Sequence, residues 1–153
     1  MRFLLPNDKA VLGILSALFG DDTRVSAAPM KDLPTDWVAI YVGDDGKPVA
    51  ACVCNKEFVA YSGSALTMLP AGAAKESISG GAFTDVMVGS FQETMNICRR
   101  LLMSDSTPHL RLRRICPRKD APELAEVAKA GTRKDFQVAI PRYGSGQMGC
   151  LVT

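Results

Sequence analysis

The sequence predicts an α+β fold in which an antiparallel sheet packs against long helices. Three observations carry that prediction. Strand-like runs are joined by hairpin turns, a long amphipathic helix shows a clean apolar stripe, and a further strand hairpin closes the chain. The 153 residues are 47% apolar and 22% charged, with a net charge of +2. Such a composition folds and excludes a disordered chain. At about 100–200 residues per domain, residues 1–153 are read as a single domain.

In order along the chain, Asn7 or Asp8 caps a first helix whose apolar residues Val11, Leu12, Leu15, Leu18 and Phe19 recur at helical spacing, and Gly20 ends it. A membrane span needs about 18 consecutive apolar residues, and no stretch supplies them. The run from Ala10 to Gly20 is flanked by Asp8, Lys9, Asp21 and Asp22, unlike the basic start of a signal peptide. Residues Arg24 to Met30 suit a short strand. Asp36 to Gly43 reads as a strand, Asp44-Asp45-Gly46 as its turn, and Lys47 to Cys54 as the returning strand. Asn55 caps a helix expected to reach Met68, stopped by Pro70, and Ala71 to Ala82 reads as a small-residue loop.

The most regular element is a helix from about Phe83 to Met103. Met87, Phe91, Met95, Cys98 and Leu102 recur at spacings of 4, 4, 3 and 4 and form one core stripe. At about 100° per residue, Gly89, Glu93, Asn96 and Arg100 fall on the opposite side, a polar stripe that is the best functional candidate in the chain. Pro108 to Cys116 then reads as a strand, its alternation broken at Arg114-Ile115 by a bulge. A short helix spans Asp120 to Lys129, with Pro122 in its first turn and Gly131 beyond its end. Phe136 to Tyr143 and Gln147 to Val152 form the closing hairpin, with Gly144-Ser145-Gly146 as the turn. The GxGxxG string at Gly144 to Gly149 is expected to be a hairpin turn and not a dinucleotide site, which needs its glycines between a strand and the start of a helix.

Cys52, Cys54, Cys98, Cys116 and Cys150 all lie in or beside apolar runs and read as buried free thiols of a cytoplasmic protein. One His and no CxxC pair leave too few ligands for a structural zinc site. His109 reads as a surface residue at a strand start, and no nucleophile stands beside it in the manner of a hydrolase.

Charge is unevenly spread. Residues 1–98 carry 7 basic and 11 acidic side chains, a balance of −4, whereas residues 99–153 carry 11 and 5, a balance of +6. Between Arg99 and Lys119 stand seven cations and one acid, Asp105. If they converge, Arg111, Arg113, Arg114, Arg118 and Lys119 would bind phosphates or an acidic protein surface; otherwise they are a solvated strand face. The segment has no Phe, Tyr or Trp on which bases would stack, so nucleic acid is an unfavoured partner.

From Asp36 onward the order of elements resembles the CheC, CheX and FliY family of chemotaxis phosphatases. Glu93-Thr94-Met95-Asn96 fits the family's Glu-x-x-Asn signature, and Pro117 follows Asn96 after twenty intervening residues, close to the family's proline. Only one copy is present, since Glu57 is followed three residues on by Ala60, so the single-motif CheX branch is the closer likeness. The resemblance implies a bacterial two-component protein that acts on a phosphorylated response regulator. Glu93 would engage the regulator's active-site lysine, and Asn96 would orient the water that attacks its phosphoaspartate. No cofactor of its own is implied, because the Mg²⁺ would belong to the regulator. Gly89 stands where the family places Asp or Ser, with Ser90 beside it. Arg99 and Arg100 follow where the family is small, and these four would border the partner.

Three readings therefore stand open. One is phosphoaspartate hydrolysis on, or docking to, a receiver domain. A second is anion or nucleic-acid binding through residues 99–119. A third is a non-catalytic sensory module, dimerising through its sheet as relatives of this architecture do.

Overall fold

Six strands form one antiparallel sheet in a computed structural model that describes residues 3–29 and 36–153. They are β1 (Arg24–Ala27), β2 (Trp37–Val42), β3 (Pro48–Cys54), β4 (Arg111–Pro117), β5 (Thr132–Ile140) and β6 (Gly144–Val152). Their order across the sheet is β1-β5-β6-β3-β2-β4. Among the described residues five α-helices accompany them: α1 (Asp8–Phe19), α2 (Lys56–Ala65), α3 (Ala71–Gly80), α4 (Asp85–Cys98) and α5 (Glu123–Ala130). The α+β class expected from sequence is the one observed. Met30, the expected end of the first strand, lies outside the described residues.

The sheet is covered on both faces. On one, Tyr41, Cys52, Cys54, Phe136, Met148 and Cys150 meet Leu15 of α1, Phe58 of α2 and Phe91 and Met95 of α4. On the other, Val38, Ile40, Ala51 and Val53 meet Leu124 and Val127 of α5. Two-sided burial explains why β2 and β3 are continuous apolar runs rather than alternating ones.

Caps set most helix starts. Asn7 Oδ1 accepts from the Ala10 amide at 2.8 Å, and Gly20 ends α1 with φ 110°. Asn55 Oδ1 accepts from Phe58 N at 2.9 Å and from Gln147 N at 3.0 Å, fixing the start of α2 to β6. Gly46, with φ 78°, completes the turn between β2 and β3.

Several boundaries differ from expectation. Ala71 to Ala82 is no loop. Pro70 precedes the first turn of α3, Gly81 closes it in the left-handed region (φ 69°), and Ala74 and Ser77 are buried. Alanine's helix propensity outweighs the small-residue composition that suggested a loop. The preceding helix stops at Ala65 instead of Met68, which is left-handed at φ 54°. The closing turn is Pro141-Arg142-Tyr143, with Arg142 at φ 74°, and β5 begins at Thr132 rather than Phe136. Gly144 and Gly146 lie within β6, because α2 presses on that strand: a Cβ on Gly146 would sit 2.5 Å from Phe58 Cα. The glycine-rich string thus serves helix-to-sheet contact. On β4, which begins at Arg111 rather than Pro108, Ile40 faces Arg114 and Tyr41 faces Leu112, so Arg113 is the extra, bulged residue.

Candidate functional site

The long helix predicted from Phe83 to Met103 is observed in two parts: α4, capped by Thr84 Oγ1 on the Met87 amide, and a 3-10 turn over Arg99–Leu102. Aromatic contacts seat α4. The Phe91 ring lies edge-on to Trp37 at 6.1 Å and to Phe58 at 6.4 Å. Met87, Phe91, Met95, Cys98 and Leu102 are all buried, so the apolar stripe lies where its spacing puts it.

With that face inward, Gly89, Glu93, Asn96 and Arg100 are all exposed. Glu93 and Asn96 stand one turn apart, about 4.5 Å along the axis. Between them Thr94 and Met95 are buried, and Thr94 Oγ1 donates to the Ser90 carbonyl at 3.0 Å. Gly89 adds a notch to the stripe, since a Cβ there would meet nothing within 4 Å. Ser90 is half-buried.

A residue that helical phase does not mark holds this turn. Tyr41 on β2 is fully buried, and its hydroxyl donates to the Met95 carbonyl, the residue immediately before Asn96. Burial pushes the Tyr41 hydroxyl well above its ordinary range, with the Cys52 thiol 3.8 Å away adding to the shift. The group is therefore a permanent donor. The sequence signal is the one tyrosine of an otherwise apolar strand, whose hydroxyl needs a partner when buried. From the turn Met95 occupies, the chain tightens into the 3-10 geometry.

The two arginines after Asn96 part company. Arg100 is exposed and lines a groove with Leu4, Leu5, Ala10, Ile14 and Leu101. Arg99 is half-buried: its Nη1 donates to the Leu110 carbonyl at 3.1 Å and lies 3.4 Å from His109 Nε2. Arg99 is thus engaged at the approach to β4.

Of the seven cations of residues 99–119, two are engaged by groups of the chain itself. Besides Arg99, Arg114 is engaged by Glu123, Nη2 to Oε1 at 2.6 Å and Nε to Oε2 at 3.3 Å. That bidentate pair holds the Glu123 carboxyl below its ordinary range. Arg111 and Arg113 remain exposed on the edge strand with no ion-pair partner among the described residues. The five cysteines are buried and unpaired. Cys52 and Cys150 face each other across β3 and β6 with sulfurs 3.8 Å apart, and burial pushes the Cys54 and Cys98 thiols well up. Among the described residues no three His, Cys, Asp or Glu side chains gather as a metal site, and no helix is long and apolar enough to cross a membrane.

No family model matches this chain, and no curated protein matches it in sequence. Solved structures do. A chain of the FliM–SpeE complex from H. pylori superposes with a TM-score of 0.66 at 7% identity, over 95% of this chain and 80% of that one. A CheX–CheY–BeF₃–Mg²⁺ complex from Borrelia burgdorferi matches at 0.58 and 9%, covering 94% of this chain and 93% of its counterpart. The FliM middle domain from H. pylori matches at 0.58 and 10%, covering 95% and 86%. At these identities the likeness is one of architecture: the chain has the fold shared by CheX and the FliM middle domain.

Proposed function

We propose that the chain docks on the receiver domain of a phosphorylated response regulator and hydrolyses its phosphoaspartate. One observation carries the reading. Glu93 and Asn96 stand side by side on the outward face of a helix whose other face is core, uncovered by any described strand or helix. A partner's active site can therefore receive both groups together.

In such a complex Glu93 supplies a carboxylate for a cationic side chain of the partner, and docking energy comes from that pair. Asn96 offers a neutral amide, donor and acceptor at once, able to hold one water in a fixed direction. Hydrolysis needs no covalent step on this chain. A water placed in line with the phosphoryl group, whose charge the regulator's own Mg²⁺ offsets, is sufficient. The short amide side chain makes position the whole contribution, and the Tyr41 bond to the Met95 carbonyl fixes the backbone from which it projects.

The test is loss of phosphate from receiver domains of the same organism, phosphorylated by acetyl phosphate, with and without the protein. Wild type is expected to accelerate it. Asn96→Ala is expected to lower the rate at saturation about 100-fold, the ordinary loss for a positioned polar group, while leaving binding nearly intact. Glu93→Ala is expected to act mainly on affinity, by about tenfold. Unchanged turnover in both variants removes the proposal. Binding without turnover by wild type leaves docking as the function.

A further inference from the structure

The surface around Glu93 and Asn96 extends beyond that pair. At about 100° per residue, Val86, Gly89, Glu93, Asn96 and Arg100 fall within an arc of about 80°, forming a stripe about 20 Å long over α4 and the turn after it. All five are exposed. At one end Val86 is 51% exposed. At the other, Arg100 borders the apolar groove of about 500 Å³ between Leu4, Leu5 and Pro6, α1 and the 3-10 turn, where Leu4 is also 51% exposed. Among the described residues the exposed large hydrophobics are Leu4, Met68 and Val86, so two of the three flank the polar pair. Apolar groups gathered around a few polar ones are the composition of a docking surface.

Charge follows the same line. Glu93 and Arg100 lie on one side, seven residues apart, and neither has an ion-pair partner among the described residues. About 10 Å of helix separates them, too far for them to neutralise each other. The stripe therefore offers an anion, a neutral amide and a cation in sequence, ending in an apolar seat.

Resting on the receiver-domain reading above, we propose that this whole stripe and the Leu4 groove form one bipolar docking surface. The receiver domain would present a cation to Glu93, an anion to Arg100 and an apolar side chain to the groove beside Leu4. Arg100 then selects among receiver domains, since one with a cation at that place is repelled.

The experiment titrates receiver domains of the same organism, loaded with beryllium fluoride, against wild type, Arg100→Glu, Leu4→Asp and Met68→Asp. All three substitutions are at exposed side chains, and thermal melts check that each variant is folded. Arg100→Glu and Leu4→Asp are each expected to weaken binding about tenfold or more, and Met68→Asp, on the cleft between the end of α1, the α2–α3 connection and the β5–β6 turn, to leave it unchanged. Equal affinity for all four proteins, or an equal loss in Met68→Asp, overturns the proposal while the receiver-domain reading stands. A self-associated wild type that the same two substitutions dissociate assigns the surface to a second copy of the chain and overturns it too. Wild type that binds no receiver domain removes both.

Discussion

Asn96 points outward because its neighbours point inward. Thr94 and Met95 are buried, Thr94 is tied to Ser90, and the Met95 carbonyl accepts the hydroxyl of Tyr41. Tyr41→Phe keeps the ring and removes the donor, leaving a buried carbonyl short of a partner. It is expected to lower stability by about 1–2 kcal/mol, read as a fall in the urea midpoint at unchanged slope. Amide exchange is expected to quicken most over Arg99–Leu102, the turn that follows the bond. The exposure of Glu93 and Asn96 was legible from the sequence, because helical phase follows once Met87, Phe91, Met95 and Cys98 define the buried side. The engagement of Arg99 by the Leu110 carbonyl was not, because it depends on where a later strand arrives.

At the scale of elements, α4 reaches its place through the glycine at its crossing with α2. A Cβ on Gly63 would stand 2.5 Å from the Met87 carbonyl oxygen, backbone that cannot swing aside. Gly63→Ala is therefore expected to part the two helices and cost about 2–3 kcal/mol, seen as a lower melting temperature. Gly89→Ala, on the open side of the same helix, is expected to raise stability by up to about 1 kcal/mol, as glycine is replaced by the best helix former. Most elements were readable from periodicity and caps: Asn7, Asn55 and Gly20 act where their chemistry suggests. Two of the misreadings share one cause. Ala71 to Gly80 and Gly144 to Gly146 are rich in small residues, which resemble a loop in sequence but serve close packing in the fold.

Across the whole molecule, the two-sided sheet leaves every cysteine shielded. A thiol reagent is expected to label all five promptly in guanidinium, and in the native protein to label them only as slowly as global opening allows. Early labelling of one cysteine would reveal a part of the core that opens by itself. The charge imbalance along the chain was also legible, but its meaning was not. Arg99 and Arg114 are drawn to separate internal partners, so two of the cations clustered in sequence are engaged within the fold itself.

The spare residue at Arg113 has a consequence for crowded solution. Sheets grow by adding strands to a straight border of evenly spaced amides, and the outermost strand here sets two residues against one on its neighbour. The opposite border, β1, is only four residues long. A stray strand from another molecule thus finds no regular template on either flank, and the protein is guarded against fibrous stacking without having to close its sheet into a barrel.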